Sequence, residues 1–168
     1  NNELDLALMH LPLLCEHAGY TRVSDDRYVM AIAKDNPLTR KAYSKPGFAH
    51  LFLDPALAAE QQFILAHPQQ RVRQISDRIL RHAGIVPKIR LETSSIQSAL
   101  CFASNDLGIT FAPESYIPLF NAQKELAYFY LEDKYEAFWT FCVVYPQNVT
   151  PSTPARFFLQ ETQRLFGR

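Results

Sequence analysis

Three consecutive hydroxyl residues, Thr93-Ser94-Ser95, and then Ile96 open a run with helical spacing, Ile96, Ala99, Leu100 and Ala103. The first backbone N–H groups of a helix lack partners within it and carry a partial positive charge, so hydroxyls placed there suit a carboxylate or similar anion. The same residues also meet the needs of an ordinary helix start, where Ser94 with Gln97 fits a capping box. The residues alone leave both readings open. His67 follows the short apolar strand Phe63-Ile64-Leu65-Ala66 and precedes Pro68. Ligands in open α/β sheets gather at the carboxyl ends of strands, which makes Ala66 and His67 candidates as well. His67 either donates to an anion or caps the Pro68 turn.

Other chemistries find less support. Ser94 has no GxSxG elbow around it and no neighbouring His and acid. His17, His50, His67 and His82 are scattered without metal-ligand spacing, and there is neither a phosphate loop nor a GxGxxG. Cys15, Cys101 and Cys142 are odd in number and far apart, without a CxxC; Cys101 and Cys142 lie in apolar runs and read as core thiols. Free thiols suit a reducing cytoplasm. No metal, cofactor or catalytic role is expected. The basic residues Arg71, Arg73, Arg78 and Arg81 share one helix with Asp77, and 17 Lys plus Arg balance 17 Asp plus Glu. A neutral chain grips nucleic acid poorly, so any DNA contact must come from another segment. The aromatic run Tyr128, Phe129, Tyr130, Tyr135, Phe138, Trp139, Phe141 and Tyr145 lacks the basic interleaving of a base-stacking surface and reads as core. The sequon at Asn148 to Thr150 would matter only in a secreted protein, and no apolar run of about 18 residues offers a membrane span.

The elements that must position these residues follow from periodicity and breakers. With 168 residues, 48% of them hydrophobic, the chain suits one large domain or two small lobes. It opens on Leu4-Asp5-Leu6-Ala7-Leu8-Met9, an apolar strand stopped by His10 and Pro12. A polar loop leads to a strand from Arg27 to Ala33, ended by Asp35-Asn36-Pro37. From Leu38 to Ala59 the chain reads as loop with short helical pieces. The strand Phe63 to Ala66 is followed by a helix with Val72, Ile75, Ile79 and Ala83 on one side, ended by Gly84 and Pro87. Ile89 to Leu91 is a brief strand, the Ile96 helix closes at Asn105-Asp106, and Gly108 to Pro113 is a further strand. Two β-like runs, Leu126 to Leu131 and Phe138 to Tyr145, precede a last helix from Pro154 to Phe166. On that helix Phe157, Phe158, Glu161 and Leu165 sit close in angle. Strands and helices alternate through the middle, which predicts an α/β fold with mainly parallel sheets.

This succession resembles the regulatory, effector-binding domain of LysR-type transcription regulators, from about Glu3 to Phe166. Four pieces carry the likeness: Glu3-Leu4-Asp5-Leu6-Ala7-Leu8, like the family's "gelDlal" strand; Asp26 to Pro37, like the strand ending in an "hP" turn; Phe63 to Ile89, a strand and helix closing on His82-Ala83-Gly84-Ile85-Val86-Pro87-Lys88-Ile89; and Glu92 to Pro113, whose Leu107-Gly108-Ile109-Thr110-Phe111-Ala112-Pro113 is similar to the family's "GlGia.lP" ending.

The resemblance implies a two-lobed fold like periplasmic solute-binding proteins of type II. Residues 1–60 and 134–168 would form the first lobe and 61–133 the second, with a small effector, often an anion in that family, held between them. It implies effector contacts from Thr93, Ser94, Ser95 and Ile96, from Ala66 and His67, and from Met9 and His10 where the first strand ends. Arg73, Ile75, Arg78, Ile79 and His82 would lie on a helix meeting a partner subunit in a homodimer or homotetramer. The family's N-terminal helix-turn-helix, linker helix and first-lobe strand and helix are not among these residues, so DNA binding is expected from that missing part. The first lobe is expected to have an incomplete sheet with an exposed edge. Two alternatives share the architecture: a transporter's solute-binding protein, and an enzyme of similar fold.

Overall fold

The computed structural model describes residues 5–11, 18–119, 125–147 and 150–166. Glu3 and Leu4 of the opening strand, Cys15, His17 and Asn148 of the sequon lie outside the described residues. The described chain runs β1 (Ala7–His10), β2 (Ala18–Ala33), β3 (Leu51–Phe52), β4 (Gln62–Ala66), α1 (Arg71–His82), β5 (Lys88–Thr93), α2 (Ile96–Ser104), β6 (Thr110–Pro113), β7 (Leu126–Tyr130), β8 (Phe138–Pro146) and α3 (Thr153–Phe166). Short 3-10 turns follow β2 at Pro37–Lys41 and precede β4 at Pro55–Ala58, each capped by an Asx side chain, Asn36 and Asp54. The α/β class expected from alternation is the class observed. The expected polar loop before Arg27 is instead extended chain, because β2 is 16 residues long. Its polar part finds partners within the strand layer: Arg22 pairs with Asp25, and Thr140 Oγ1 donates to Asp25 Oδ1 at 2.7 Å. Composition signals a loop there, but strand propensity is weak and depends on the neighbours, so tertiary context overrides it.

Residue contacts divide the chain into two compact units, Asn1–Asp26 with Trp139–Arg168, and Arg27–Phe138. These bounds differ from the lobe bounds at 60/61 and 133/134 that the resemblance implied. In the first unit β1 and β8 pair antiparallel, with Ala7 opposite Val144 and His10 opposite Phe141. Buried Cys142 donates its thiol to the Met9 carbonyl at 3.3 Å. On α3 the buried side chains are Ala155 and Thr162, whereas Phe157, Phe158 and Leu165 are exposed. Periodicity shows that a helix has an apolar face, but which face turns inward depends on the neighbours.

In the second unit the inner end of β2, from Tyr28 to Ala33, is buried throughout and pairs antiparallel with both β6 and β7. β3 pairs parallel with β7, and β4 parallel with β5. The expectation of parallel pairing thus holds for β4–β5, β3–β7 and the Phe63–Ile109 bridge, while β1–β8, β2–β6 and β2–β7 are antiparallel. An apolar run does not encode the direction of its partner. Ile109 joins the edge of β4 through two 2.8 Å bonds, Ile64 N–H to the Ile109 carbonyl and Ile109 N–H to the Gln62 carbonyl. Gly108 makes that approach possible: at φ +155° a Cβ would stand 2.8 Å from the Gln62 backbone oxygen. α1 ends as the sequence signals imply. Gly84 takes φ +69°, its N–H donates to Arg81, and Ile85 N–H reaches back to Leu80 at 2.8 Å, a Schellman closure. Beneath α2 lies a core of Val29, Ala31, Ile64, Leu100, Ala103, Ala112 and Leu126. Among the described residues no helix is long and apolar enough to cross a membrane.

Candidate effector site

The register of β4 and β5 builds the site. Leu65 lies opposite Glu92 and Ala66 opposite Thr93, so the two parallel strands end side by side. The turn after β5 then enters α2 at that same edge. Ser95 is the N-cap, with extended backbone, and its Oγ accepts the Ser98 N–H at 3.2 Å. The cap is therefore Ser95, one residue later than the Ser94 expected, and Ser98 stands where a capping box needs Glu or Gln. Thr93 Oγ1 accepts the Ser95 N–H at 3.2 Å and steadies the turn. A hydroxyl that accepts an N–H keeps its own hydrogen to donate, so Thr93 and Ser95 can each give one hydrogen to a ligand.

A pocket opens at this place. It is lined by Leu65 and Ala66 of β4, Val72 and Ser76 of α1, Thr93 to Ile96 and Ala99 around the start of α2, and Thr110 and Phe111 of β6. The centre of a water-sized sphere can move through about 20 Å³ of it, room for one or two waters. The lining is apolar with hydroxyls set into it and carries no charged side chain. Ser76 turns its hydroxyl to the Val72 carbonyl at 3.2 Å. Of the expected contacts, Ala66, Thr93, Ser94, Ser95 and Ile96 come together here. His67 does not line the pocket. Its carbonyl accepts Gln70 N–H across the Pro68 turn at 3.0 Å, and its ring nitrogen stands 3.9 Å from Glu92. Met9 and His10 lie on β1 in the other unit, where the His10 ring stacks on Trp139 at 3.7 Å.

Sequence reasoning missed Leu65, Val72, Ser76, Ala99 and Thr110 as lining residues. Ser76 was the one with a signal, since it is a polar residue on the inner side of the α1 stripe, four residues after Val72. Arg73 also has a place different from the partner-facing one expected. It is buried and donates to the Ala66 carbonyl at 2.8 Å, Glu92 Oε1 at 2.7 Å and Asp77 Oδ1 at 2.7 Å, fastening α1 to the ends of β4 and β5. Ile75 and Ile79 are buried in the core. Arg78 donates to the carbonyls of Glu136 and Phe138, each at 2.8 Å, and the His82 ring is 3.1 Å from the Lys134 carbonyl. Hydrophobic spacing turns Ile75 and Ile79 inward, and the two carboxylates draw Arg73 down with them.

A second polar cluster joins the 43–54 segment to β7 and the turn after it. Tyr43 and Lys45 both bond Glu132, Tyr130 bonds Glu114, and Tyr135 bonds Asp54. The hydrogen bond to Glu132 pushes the Tyr43 phenol up to about 12. Burial, with Glu114 added, pushes Tyr130 up to about 12. Arg27 lies over the Phe48 and Tyr130 rings at 5.2 and 5.6 Å. Among the described residues no group of three or more His, Cys, Asp or Glu could hold a metal ion.

The family model of the LysR substrate binding domain matches residues 1–167. The chain belongs to that family. This LysR domain shares the family's fold, of the periplasmic-binding-protein-like type II, and domains of the family sense ligands rather than catalyse reactions. It is similar to the effector binding domain of QuiR in complex with shikimate (TM-score 0.76, 17% identity, covering 98% of this chain and 73% of that one). It is likewise similar to the CcmR regulatory domain of Synechocystis PCC6803 in complex with 2-PG, 2-phosphoglycolate (0.79, 18%, 98% and 74%). The BenM effector binding domain with its effector benzoate is another match (0.69, 20%, 96% and 68%). The chain spans about half of full-length BenM, 51% in one match. No curated protein sequence matches it. Effector sensing within a transcription regulator is thus the function of this LysR domain, and the transporter alternative gives way to it.

Proposed function

We propose that the pocket at the start of α2 takes the anionic end of a small metabolite, and that its occupancy controls DNA binding by a helix-turn-helix outside these residues. The observation that carries this reading is the convergence of the Thr93 and Ser95 hydroxyls with the first turn of a nine-residue helix in one pocket. Donors and a positive helix end favour negative charge, and with no charged side chain in the lining a singly charged carboxylate suits better than a phosphate. A carboxylate also fits the room available, while the rest of the effector lies outside it. Shikimate, benzoate and 2-phosphoglycolate, bound by the structural neighbours, all carry one.

In this reading the effector acts only through its differential affinity for two arrangements of the regulator. The regulator works in the cytoplasm as a homodimer or homotetramer. Because Arg73, Ile75 and Ile79 are buried, the surface α1 offers a partner is its exposed side, with Gln74, Arg81 and His82. Calorimetric titration with the three carboxylates tests the site. Exposed Ser94→Ala and half-buried Thr93→Ala are expected to weaken the carboxylate that binds by roughly tenfold, the worth of one hydrogen bond to a charged group; thermal unfolding stays unchanged in Ser94→Ala and falls slightly in Thr93→Ala, where the Ser95 N–H loses its acceptor. Equal affinity in both variants would sink the assignment.

A further inference from the structure

We propose that Gln70 is a positioning residue for this pocket: its side-chain amide ties the turn leaving β4 to the turn entering α2 and so sets how Ser94, Ser95 and the helix start face a ligand. The inference rests on the pocket being the effector site.

Gln70 stands at the N-cap of α1, with φ −84° and ψ 142°, yet its side chain makes no capping bond there. Glutamine is not among the residues that favour an N-cap, so its own helix gains little from it. The side chain turns aside instead. Oε1 accepts the His67 N–H at 3.1 Å, and Nε2 donates to the Ser94 carbonyl at 3.0 Å. Both ends of one planar amide are therefore used, on two backbone segments that meet only through tertiary structure.

The Ser94 carbonyl is the point that matters. The β4–β5 ladder ends at Ala66 and Thr93, so Ser94 is the first residue no strand partner holds. Its carbonyl shares a rigid peptide plane with the Ser95 N–H, the group that donates to Thr93 Oγ1 at 3.2 Å. Gln70 grips one side of that plane and Thr93 the other. With the plane fixed, Ser95 is set to cap Ser98 and aim its remaining hydroxyl hydrogen. Arg73, one turn along α1, fastens the strand ends but bonds neither serine. From α1, the hold on the serine turn comes through Gln70.

Three substitutions separate its two bonds. Gln70→Ala removes both. Gln70→Glu keeps an acceptor for His67 but sets a carboxylate against the Ser94 carbonyl. Gln70→Lys keeps a donor for Ser94 and loses the acceptor. Residue-resolved amide hydrogen exchange on the purified protein is the first readout. In the Ala and Glu variants the Ser95 and Ser98 amides, which make no bond to Gln70, are expected to exchange roughly fivefold faster, the worth of one hydrogen bond. The Lys variant restores them, and Phe63 and Ile79 in the core stay unchanged in all three. Unchanged Ser95 and Ser98 rates in Gln70→Ala, or a Lys variant as fast as the Ala one, would overturn the proposal. Titration of benzoate, shikimate and 2-phosphoglycolate is the second readout. A carboxylate that binds the wild type is expected to bind the Ala and Glu variants at least fivefold more weakly and the Lys variant near-normally; equal affinity in Gln70→Ala overturns the role. Failure of all three to bind the wild type counts against the effector reading, while the exchange rates still decide what Gln70 holds.

Discussion

The hydroxyls of Tyr43, Tyr130 and Tyr135 give their hydrogens to carboxylates, and those bonds bear on how the protein answers to alkali. The Tyr43 phenol, bonded to Glu132, and the Tyr130 phenol, buried and bonded to Glu114, are both pushed from 10.0 up to about 12. The folded state thus holds their protons more tightly than the unfolded chain does. Their contribution to stability is fully present below pH 10 and is lost as the pH rises through 12. Urea midpoints followed from pH 9 to 12 are expected to stay level to about pH 10 and then fall, and Tyr130→Phe is expected to flatten part of that fall. A level midpoint through pH 12 would remove these bonds from the account. The sequence marks these tyrosines only as aromatic, since their partners stand 16 to 89 residues away. Thr93, Ser94 and Ser95 were readable because caps and hydroxyl clusters act over three or four residues. Which of the two serines caps was settled by one turn of geometry.

At the scale of elements, the site depends on β4 receiving β5 on one edge and Ile109 on the other. Gly108 lets the second approach happen, because its missing Cβ is what leaves the Gln62 carbonyl free to accept Ile109 N–H at 2.8 Å. Gly108→Ala puts a methyl 2.8 Å from that oxygen at a φ that side chains rarely adopt. The expected cost is about 2 kcal/mol in urea unfolding, with weaker ligand binding following from the shifted β6 lining. A variant as stable as the wild type would show that the strand edge can give way. The glycine itself was legible in the run from Leu107 to Pro113, but its reason was not, because Gln62 is far away in the chain. α1 shows the same division. Its span and its glycine stop follow local rules, whereas the burial of Arg73 follows from Glu92 arriving beside Asp77.

For the molecule as a whole, charge and fold point the same way. Seventeen basic residues against seventeen acidic leave no formal net charge, so the chain on its own has little with which to release counterions from a duplex. The 168-residue chain is expected to show no salt-dependent DNA binding at micromolar concentration in fluorescence anisotropy; tight, salt-sensitive binding would relocate the DNA contact into this domain. Taken alone, the sequence determined the α/β class, most of the order of strands and helices, the glycine stop of α1 and the start of α2 to within one residue. These depend on periodicity, breakers and caps, which act within a few residues. Tertiary structure decided the rest: the length of β2 through polar residues, the direction of each strand pair, the face α3 turns inward, the entry of Ser76 and Thr110 into the pocket, and the grip of Gln70 on Ser94. Each of those is a contact between residues distant in the chain, and no local pattern records which distant residue will arrive.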